Sequence, residues 1–346
     1  MTDQPRLYDL SFSTIEALLT DWGQPSYRAQ QVWEWLYCHQ ATSFDEMTNL
    51  PLALRERLAE AFDIGIPEVV ATQISPDGLT RKDLLRFRDG KTVEVVLMEY
   101  ERRHTVCIST QVGCAVGCIF CATGQTGLSR DLSAGEVVAQ VLHAARAFNA
   151  KGERLTNVVL MGMGEPLLNY DASLTAVRRL IDPRGLNLGQ RHITLSTVGV
   201  VPGILRLSEE ELQITLAISL HAATDDLRGQ LVPMNRRYPL DELFAACYQY
   251  FSRTGRRISF EWALIDGIND SVRQAKALAA RLIGFETHVN LIPLNPSPGY
   301  DGRPASPEAI QAFTDVLDHR GIPYTIRLRR GIEIQAGCGQ LRHSTK

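Results

Sequence analysis

From His104 onward the sequence alternates between short apolar runs and longer stretches of helical periodicity, and this alternation constrains the fold more than any other feature. Runs near 104–109, 156–162, 191–196, 213–219, 257–264 and 287–293 have the length and composition of strands. Helical patterns near 133–148, 169–181, 200–208, 240–254 and 270–283 lie between them. A last helix near 307–319 and a strand near 323–328 close the series. Repeated βα units predict an α/β class with a parallel sheet and helices outside it. Six such strands are too few for a closed eightfold barrel, so the spacing predicts a partial (β/α)6 barrel. Ser133-Ala-Gly-Glu136 predicts a capping box at the start of the first barrel helix.

What precedes the alternation is different in kind. Residues 7–63 carry helical spacing, in Ser11 to Trp22, Arg28 to Tyr37 and a helix opened by Asn49-Leu-Pro51. Val69 to Ile74, Thr80 to Phe87 and Thr92 to Tyr100 switch to period two, with turn signals at Pro76-Asp-Gly78 and Asp89-Gly90. The expected division is a helical accessory domain over 1–64 and a β-rich connecting segment over 65–103. The partial barrel would follow over 104–328, with a C-terminal tail over 329–346. No run of eighteen apolar residues exists and the start lacks a signal-peptide pattern, so a cytoplasmic chain is expected. Net charge is −3, so a nucleic-acid partner would be held by local basic patches and not by bulk charge. Arg102-Arg103-His104, Arg327-Leu-Arg329-Arg330 and Arg342-His343 are the candidates, while Arg28, Gln30 and Gln31 read as a solvated face.

Four of seven cysteines fall in one stretch, Cys107 to Cys121, and Cys114, Cys118 and Cys121 have the spacing C-x3-C-x2-C. Such a loop can converge three thiolates on a soft metal or an iron–sulfur cluster, and Gly113 and Gly117 loosen its backbone. No fourth cysteine follows nearby, so one iron of a [4Fe–4S] cluster would keep an open position for chemistry. Structural zinc would need a fourth ligand, for which His104 or His143 is available. The odd cysteine count at metal spacing fits a reducing compartment. Cys38 and Cys247 sit in apolar helical contexts and are expected to be buried thiols.

The triplet resembles the signature of the radical S-adenosylmethionine (SAM) enzymes. The flanking words are more specific. Cys107-x6-Cys114, Met161-Gly-Met-Gly-Glu-Pro166, Leu195-Ser-Thr197, Ser219-Leu-His221-Ala222 and Cys338-Gly-Gln-Leu341 together resemble the RlmN/Cfr family of adenosine methyltransferases, from about Glu94 to Leu341. Val198 stands where that family commonly has a small residue. The resemblance implies a radical SAM barrel whose Cys114, Cys118 and Cys121 hold a [4Fe–4S] cluster. It makes Gly164, Glu165, Ser196, Ser219, Leu220, His221 and Asn295 the SAM contacts, with Glu165 accepting from the SAM ammonium. It assigns Cys338 as a methyl-carrying cysteine, Glu94 as proton acceptor, and Cys107 as the thiol that resolves a covalent RNA–protein intermediate through a transient disulfide with Cys338. The implied partners are 23S rRNA, tRNA and an external electron donor, with two SAM molecules consumed per methylation and a monomer as the default state. An RNA-contacting role for the helical domain is implied too. Pro166 matches the C2-methylating form, with a Cfr-like C8 methyltransferase as the alternative. A non-catalytic metal- or cluster-containing RNA-binding protein is the reading from another class, and it would make Cys107 and Cys338 dispensable.

Overall fold

The structure, a computed structural model, describes residues 4–327 and 330–341, so Arg329, Arg342 and His343 lie outside the described residues. The chain opens with α1 (Phe12–Asp21), α2 (Tyr27–Tyr37) and α3 (Leu52–Ala61). Ser11 caps α1 by accepting from the Thr14 N–H, and Pro51 precedes α3, where a missing N–H costs nothing. Strands β1 (Glu68–Ile74), β2 (Thr80–Arg86) and β3 (Thr92–Tyr100) then form an antiparallel meander. β4 (Arg103–Cys107) pairs antiparallel with β3 and parallel with the next barrel strand. A small hairpin of β5 (Gln111–Gly113) and β6 (Leu128–Asp131) brackets the cysteine loop and the one-turn helix α4 (Ala122–Gln125).

The βα series follows as α5 (Ala134–Asn149), β7 (Asn157–Leu160), α6 (Tyr170–Ile181), β8 (Ile193–Thr197), α7 (Val201–Leu207) and β9 (Thr215–Ser219). It continues through α8 (Asp225–Leu231), α9 (Leu240–Thr254), β10 (Ile258–Leu264), α10 (Val272–Arg281), β11 (Thr287–Pro293), α11 (Pro307–His319) and β12 (Tyr324–Ile326). Among the described residues the main sheet runs β1-β2-β3-β4-β7-β8-β9-β10-β11-β12. From β4 to β12 every neighbouring pair is parallel, so six barrel strands are followed by the short β12. The meander extends this sheet on its β4 edge and is continuous with it.

Packing explains the elements. β10 is buried at all seven positions, as expected of a central parallel strand covered on both faces. α5 presents buried residues along most of its length, and Ser133 and Glu136 form the expected capping box. The N-terminal helices share one contiguous apolar core with the barrel, from Leu7, Trp33 and Tyr37 to Val137, Val141 and Phe148. Cys247 is buried as expected, whereas Cys38 is exposed. α2 ends at Tyr37, which leaves Cys38 on the turn beyond the apolar face, its Sγ 3.2 Å from the Gly185 carbonyl oxygen. Among the described residues no helix is long and apolar enough to cross a membrane.

Candidate active site

The carboxyl ends of the parallel strands meet in one concave pocket. Ten of the thirteen residues singled out for chemistry line it. They are the thiol-bearing Cys114, Cys118, Cys121 and Cys338, with Gly164, Glu165, Ser196, Ser219, His221 and Asn295. Leu220, Glu94 and Cys107 do not.

The cysteine loop is built locally by the β5–β6 hairpin. Gly113 closes it with φ +80, and a Cβ there would lie 1.9 Å from the Gly127 carbonyl oxygen. Burial pushes the Cys114 thiol up to about 12 and the Cys118 thiol well above its ordinary value, with Glu165 and the neighbouring cysteines adding to it. Thiols so placed ionise readily only against a positive centre. Among the described residues no three His, Cys, Asp or Glu side chains are grouped to hold a single metal ion. Cys114, Cys118 and Cys121 all line this one pocket, and three thiols without a fourth ligand suit a cluster with one open iron better than a structural zinc ion. Neither candidate zinc histidine is available. His143 Nε2 lies 2.7 Å from Asp83, and His104 faces Glu153 at 3.5 Å and packs on Phe148. The donor set therefore fits the cluster.

The wall facing the loop is polar and strapped in place. Gly164, at φ +102, lies so close to Gln111 that a Cβ would meet the Gln111 Cβ at 2.6 Å. Glu165 is fully enclosed, and burial pushes its carboxyl up to about 7. Its two oxygens already accept from the Leu167 N–H at 3.0 Å and the Val198 N–H at 2.8 Å. It thus ties the β7 loop to the β8 loop, and a ligand ammonium would have to share those oxygens. Ser196 and Ser219 meet at 3.2 Å between Oγ atoms. His221 sits at φ +59 and accepts the Ala263 N–H at Nδ1, 2.9 Å away. Burial, with Arg228 nearby, pushes it down to about 3, so the ring is neutral with its proton on Nε2. The Leu220 side chain is buried in the core, so only its backbone belongs here. Its N–H donates to the Glu261 carbonyl oxygen and its carbonyl accepts from Arg228 Nε, both at 3.0 Å.

Cys338 arrives from the far end of the chain. The Ala122 N–H donates to the Gly339 carbonyl oxygen at 2.8 Å, Thr123 Oγ1 donates to the Leu341 carbonyl, and Gln340 Nε2 to the Pro296 carbonyl at 2.7 Å. Asn295 Nδ2 donates to the Cys338 carbonyl oxygen at 3.2 Å. These bonds seat Cys338 on a wall shared with a second cavity, which Cys107 lines together with Arg327. Surrounding protein atoms raise both thiols, Cys107 to about 12, while Arg327 opposes the shift at each. The mouth of this second cavity carries Tyr100, with the guanidinium groups of Arg103 and Arg330 at 4.2 and 4.7 Å from its ring centre.

Glu94 is buried, 6% exposed, and pairs with Lys82 at 2.8 Å between Nζ and Oε1. Sequence reasoning missed Lys82, Arg228 and Glu261. Arg228 is fully buried and donates to the Leu220 and Val198 carbonyls, fixing the strand-end loops. Nothing in its local sequence signals this. Glu261 lines the cysteine pocket, and its Oε2 is buried without a hydrogen-bond partner. Its signal was available, because a carboxylate inside the apolar run Ile258 to Leu264 needs a reason.

Residues 6–64 match the family model described as the ribosomal RNA large subunit methyltransferase N-terminal domain, and residues 108–279 match the radical SAM superfamily. The protein of Myxococcus xanthus named dual-specificity RNA methyltransferase RlmN 1 is 54% identical over 336 residues, spanning 97% of this chain and 94% of that one. The crystal structure of a radical SAM methyltransferase from Sphaerobacter thermophilus superposes with a TM-score of 0.95 at 52% identity, covering 98% of this chain and 99% of that one.

Proposed function

The chain belongs to the RlmN family of radical SAM RNA methyltransferases, and from that premise we propose that it methylates C2 of an adenosine in the peptidyl-transferase region of 23S rRNA and of the adenosine beside the anticodon in tRNA. It is a SAM-dependent RNA methyltransferase of the radical type, with a [4Fe–4S] cluster and SAM as cofactors. The observation that carries the residue-level reading is the seat of Cys338 between the cysteine-lined pocket and the cavity of Cys107.

C2 of adenine is electron-poor and has no lone pair, so it cannot take a methyl cation directly. When bound at Cys114, Cys118 and Cys121 and at the strand-end wall, the cluster and SAM supply a transferable methyl group and a carbon-centred radical. The Cys338 thiolate accepts the methyl by displacement, helped by Arg327, whose positive charge favours the thiolate. Gly164, Glu165, Ser196, Ser219, His221, Asn295 and the Leu220 backbone would hold SAM in the pocket that Cys338 also lines. After losing a hydrogen atom, the carbon on Cys338 bonds to C2 and tethers RNA to protein. Glu94 takes the C2 proton, and the one electron left over from the radical addition would pass to the redox cofactor held by the three cysteines, which restores the aromatic ring. Cys107 attacks the Cys338 sulfur, forming an S–S bond as the sulfur–carbon bond breaks, and the departing carbon takes up a proton to become the methyl group of the released base. The base reaches Cys338 from the Cys107 side, out of its stack, with Tyr100, Arg103 and Arg330 holding the adjoining backbone. An external one-electron donor serves the cluster, and the chain acts in the cytoplasm as a monomer.

Full-length relatives named RlmN favour C2 over the C8 alternative. Anaerobic reconstitution with SAM, reductant and an rRNA fragment or tRNA tests the reading by mass spectrometry of the digested RNA. The expected product is 2-methyladenosine; 8-methyladenosine or no methylation would overturn it. The Cys338→Ala enzyme should bind iron and sulfide yet leave RNA unmethylated, whereas Cys107→Ala should accumulate protein covalently bound to RNA. Retained methylation in both would rule out the mechanism through Cys338 and Cys107 while leaving the methyltransferase class standing.

A further inference from the structure

The base assigned to the C2 proton does not stand alone. In the sheet register Lys82 of β2 lies opposite Val96 of β3, and Val96 lies opposite Cys107 of β4. Side chains alternate along a strand, so Lys82, Val96 and Cys107 form one row on one face, and Glu94, two residues before Val96, shares that face. Over the same face runs the segment that carries Cys338. Lys82 Nζ reaches both the Glu94 carboxylate, at 2.8 Å, and the Gln335 carbonyl oxygen of that segment, at 3.3 Å. The Lys82 and Glu94 side chains are 9% and 8% exposed, so the pair lies almost out of water. Gln335 is held at φ +54 in a turn where the Ala336 N–H donates to the Gly331 carbonyl oxygen at 2.8 Å.

We infer that Lys82 is a positioning residue for the proton-removal step: it pins the Glu94 side chain on the Cys107 face and aligns it with the segment that brings Cys338 to the RNA base. The inference rests on the role of Glu94 in the proposed function. A carboxylate held this far out of water is costly without an opposite charge beside it. A carboxylate free to swing would also lose its line to C2. Lys82 answers both, because one ammonium supplies the charge and a second bond fixes the distance between the base and the Cys338 segment. No bond to RNA is made or broken by Lys82. Glu94 receives the proton, the electron pair of the C–H bond restores the unsaturation of the ring, and the unpaired electron left by the radical addition departs to the redox cofactor that Cys114, Cys118 and Cys121 would hold.

The test uses the reconstituted full-length enzyme with SAM, reductant and RNA, comparing wild type, Lys82→Met, Lys82→Arg, Glu94→Gln and the Lys82→Met/Glu94→Gln double variant. Methyl transfer to Cys338 needs no base at C2, so Lys82→Met should carry the S-methyl group as wild type does. Its release of methylated RNA should fall by about 100-fold or more, with the covalent RNA–protein adduct building up on denaturing gels. Lys82→Arg should recover much of the rate, and the double variant should be no slower than Glu94→Gln alone. Where Lys82→Met melts too early to assay, Lys82→Gln takes its place under the same criteria. Turnover within about threefold of wild type, or a defect already present in Cys338 methylation, overturns the inference. A wild-type enzyme that never methylates Cys338 would sink the proposed function instead.

Discussion

His221 shows how a single side chain is tuned by where the backbone holds it. It stands in the left-handed region, which non-glycine residues seldom occupy, and its Nδ1 is spent on a backbone N–H. Because burial lowers its pKa from 6.5 to about 3, the unfolded chain binds a proton that the folded chain refuses. The folded state is therefore unpenalised above about pH 6.5 and loses stability as pH falls toward 3. Glu165 works with the opposite sign. Its carboxyl, raised from 4.5 to about 7, makes the folded state lose stability as pH rises through that window. A His221→Asn protein, whose new side chain tolerates the left-handed backbone, should show a flatter decline of urea midpoint between pH 6.5 and 4 than the parent. Parallel declines would mean that the imidazole is not held neutral. The motif around His221 was legible in the sequence, but its charge state was not. That state depends on Arg228 and Ala263, which come from other elements.

At the scale of elements, the strand-to-helix loops carry the site, and their glycines are conditions of assembly. Gly164 combines φ +102 with contact against Gln111, whose Oε1 in turn accepts the Glu165 N–H at 2.9 Å. Gly164→Ala should cost about 1–3 kcal/mol in denaturant unfolding from backbone strain, with the Gln111 clash adding to it. It should also weaken SAM binding measured by calorimetry, and an unchanged midpoint with unchanged affinity would refute the packing argument. Helix and strand positions followed the sequence pattern closely, as with α5, α9, α11 and β11, which bury a regular apolar stripe, and with β10, which is a mostly apolar run buried throughout. Sequence reading left out the β5–β6 hairpin, α4 and α8. These are short, and no period can establish itself over four or seven residues. The capping box at Ser133 was legible, whereas the use of Glu136 by Arg6 and Arg130 was not, since it joins residues remote in sequence.

At the scale of the whole molecule, the decisive event is the return of the C-terminal segment to the cysteine loop. Thr123→Val keeps the shape of a buried residue but removes the hydroxyl that donates to the Leu341 carbonyl. It should slow methylation of Cys338 by roughly tenfold, the equivalent of one lost buried hydrogen bond, without changing iron content. Equal rates followed by mass spectrometry of the Cys338 peptide would show that this bond does not seat the segment. The helical N-terminal elements are fastened in the same distant manner. Arg179 of α6 donates to the Tyr8 and Asp9 carbonyls, and the shared core joins α2 to α5.

The sequence by itself determined the partial barrel, the cysteine triplet and the strand-end motifs, because periodicity and spacing are local and each motif spans only a few residues. The pairing of Cys107 with Cys338 was implied by the resemblance, and the structure places both on one cavity; only the tertiary structure decided that Glu94 is buried against Lys82, that Arg228 fixes the strand-end loops and that Glu261 lines the cysteine pocket. Those meetings are set by strand register and by hydrogen bonds between separate elements, from a dozen residues apart for Lys82 and Glu94 to more than two hundred for Lys82 and Gln335, which no local pattern encodes.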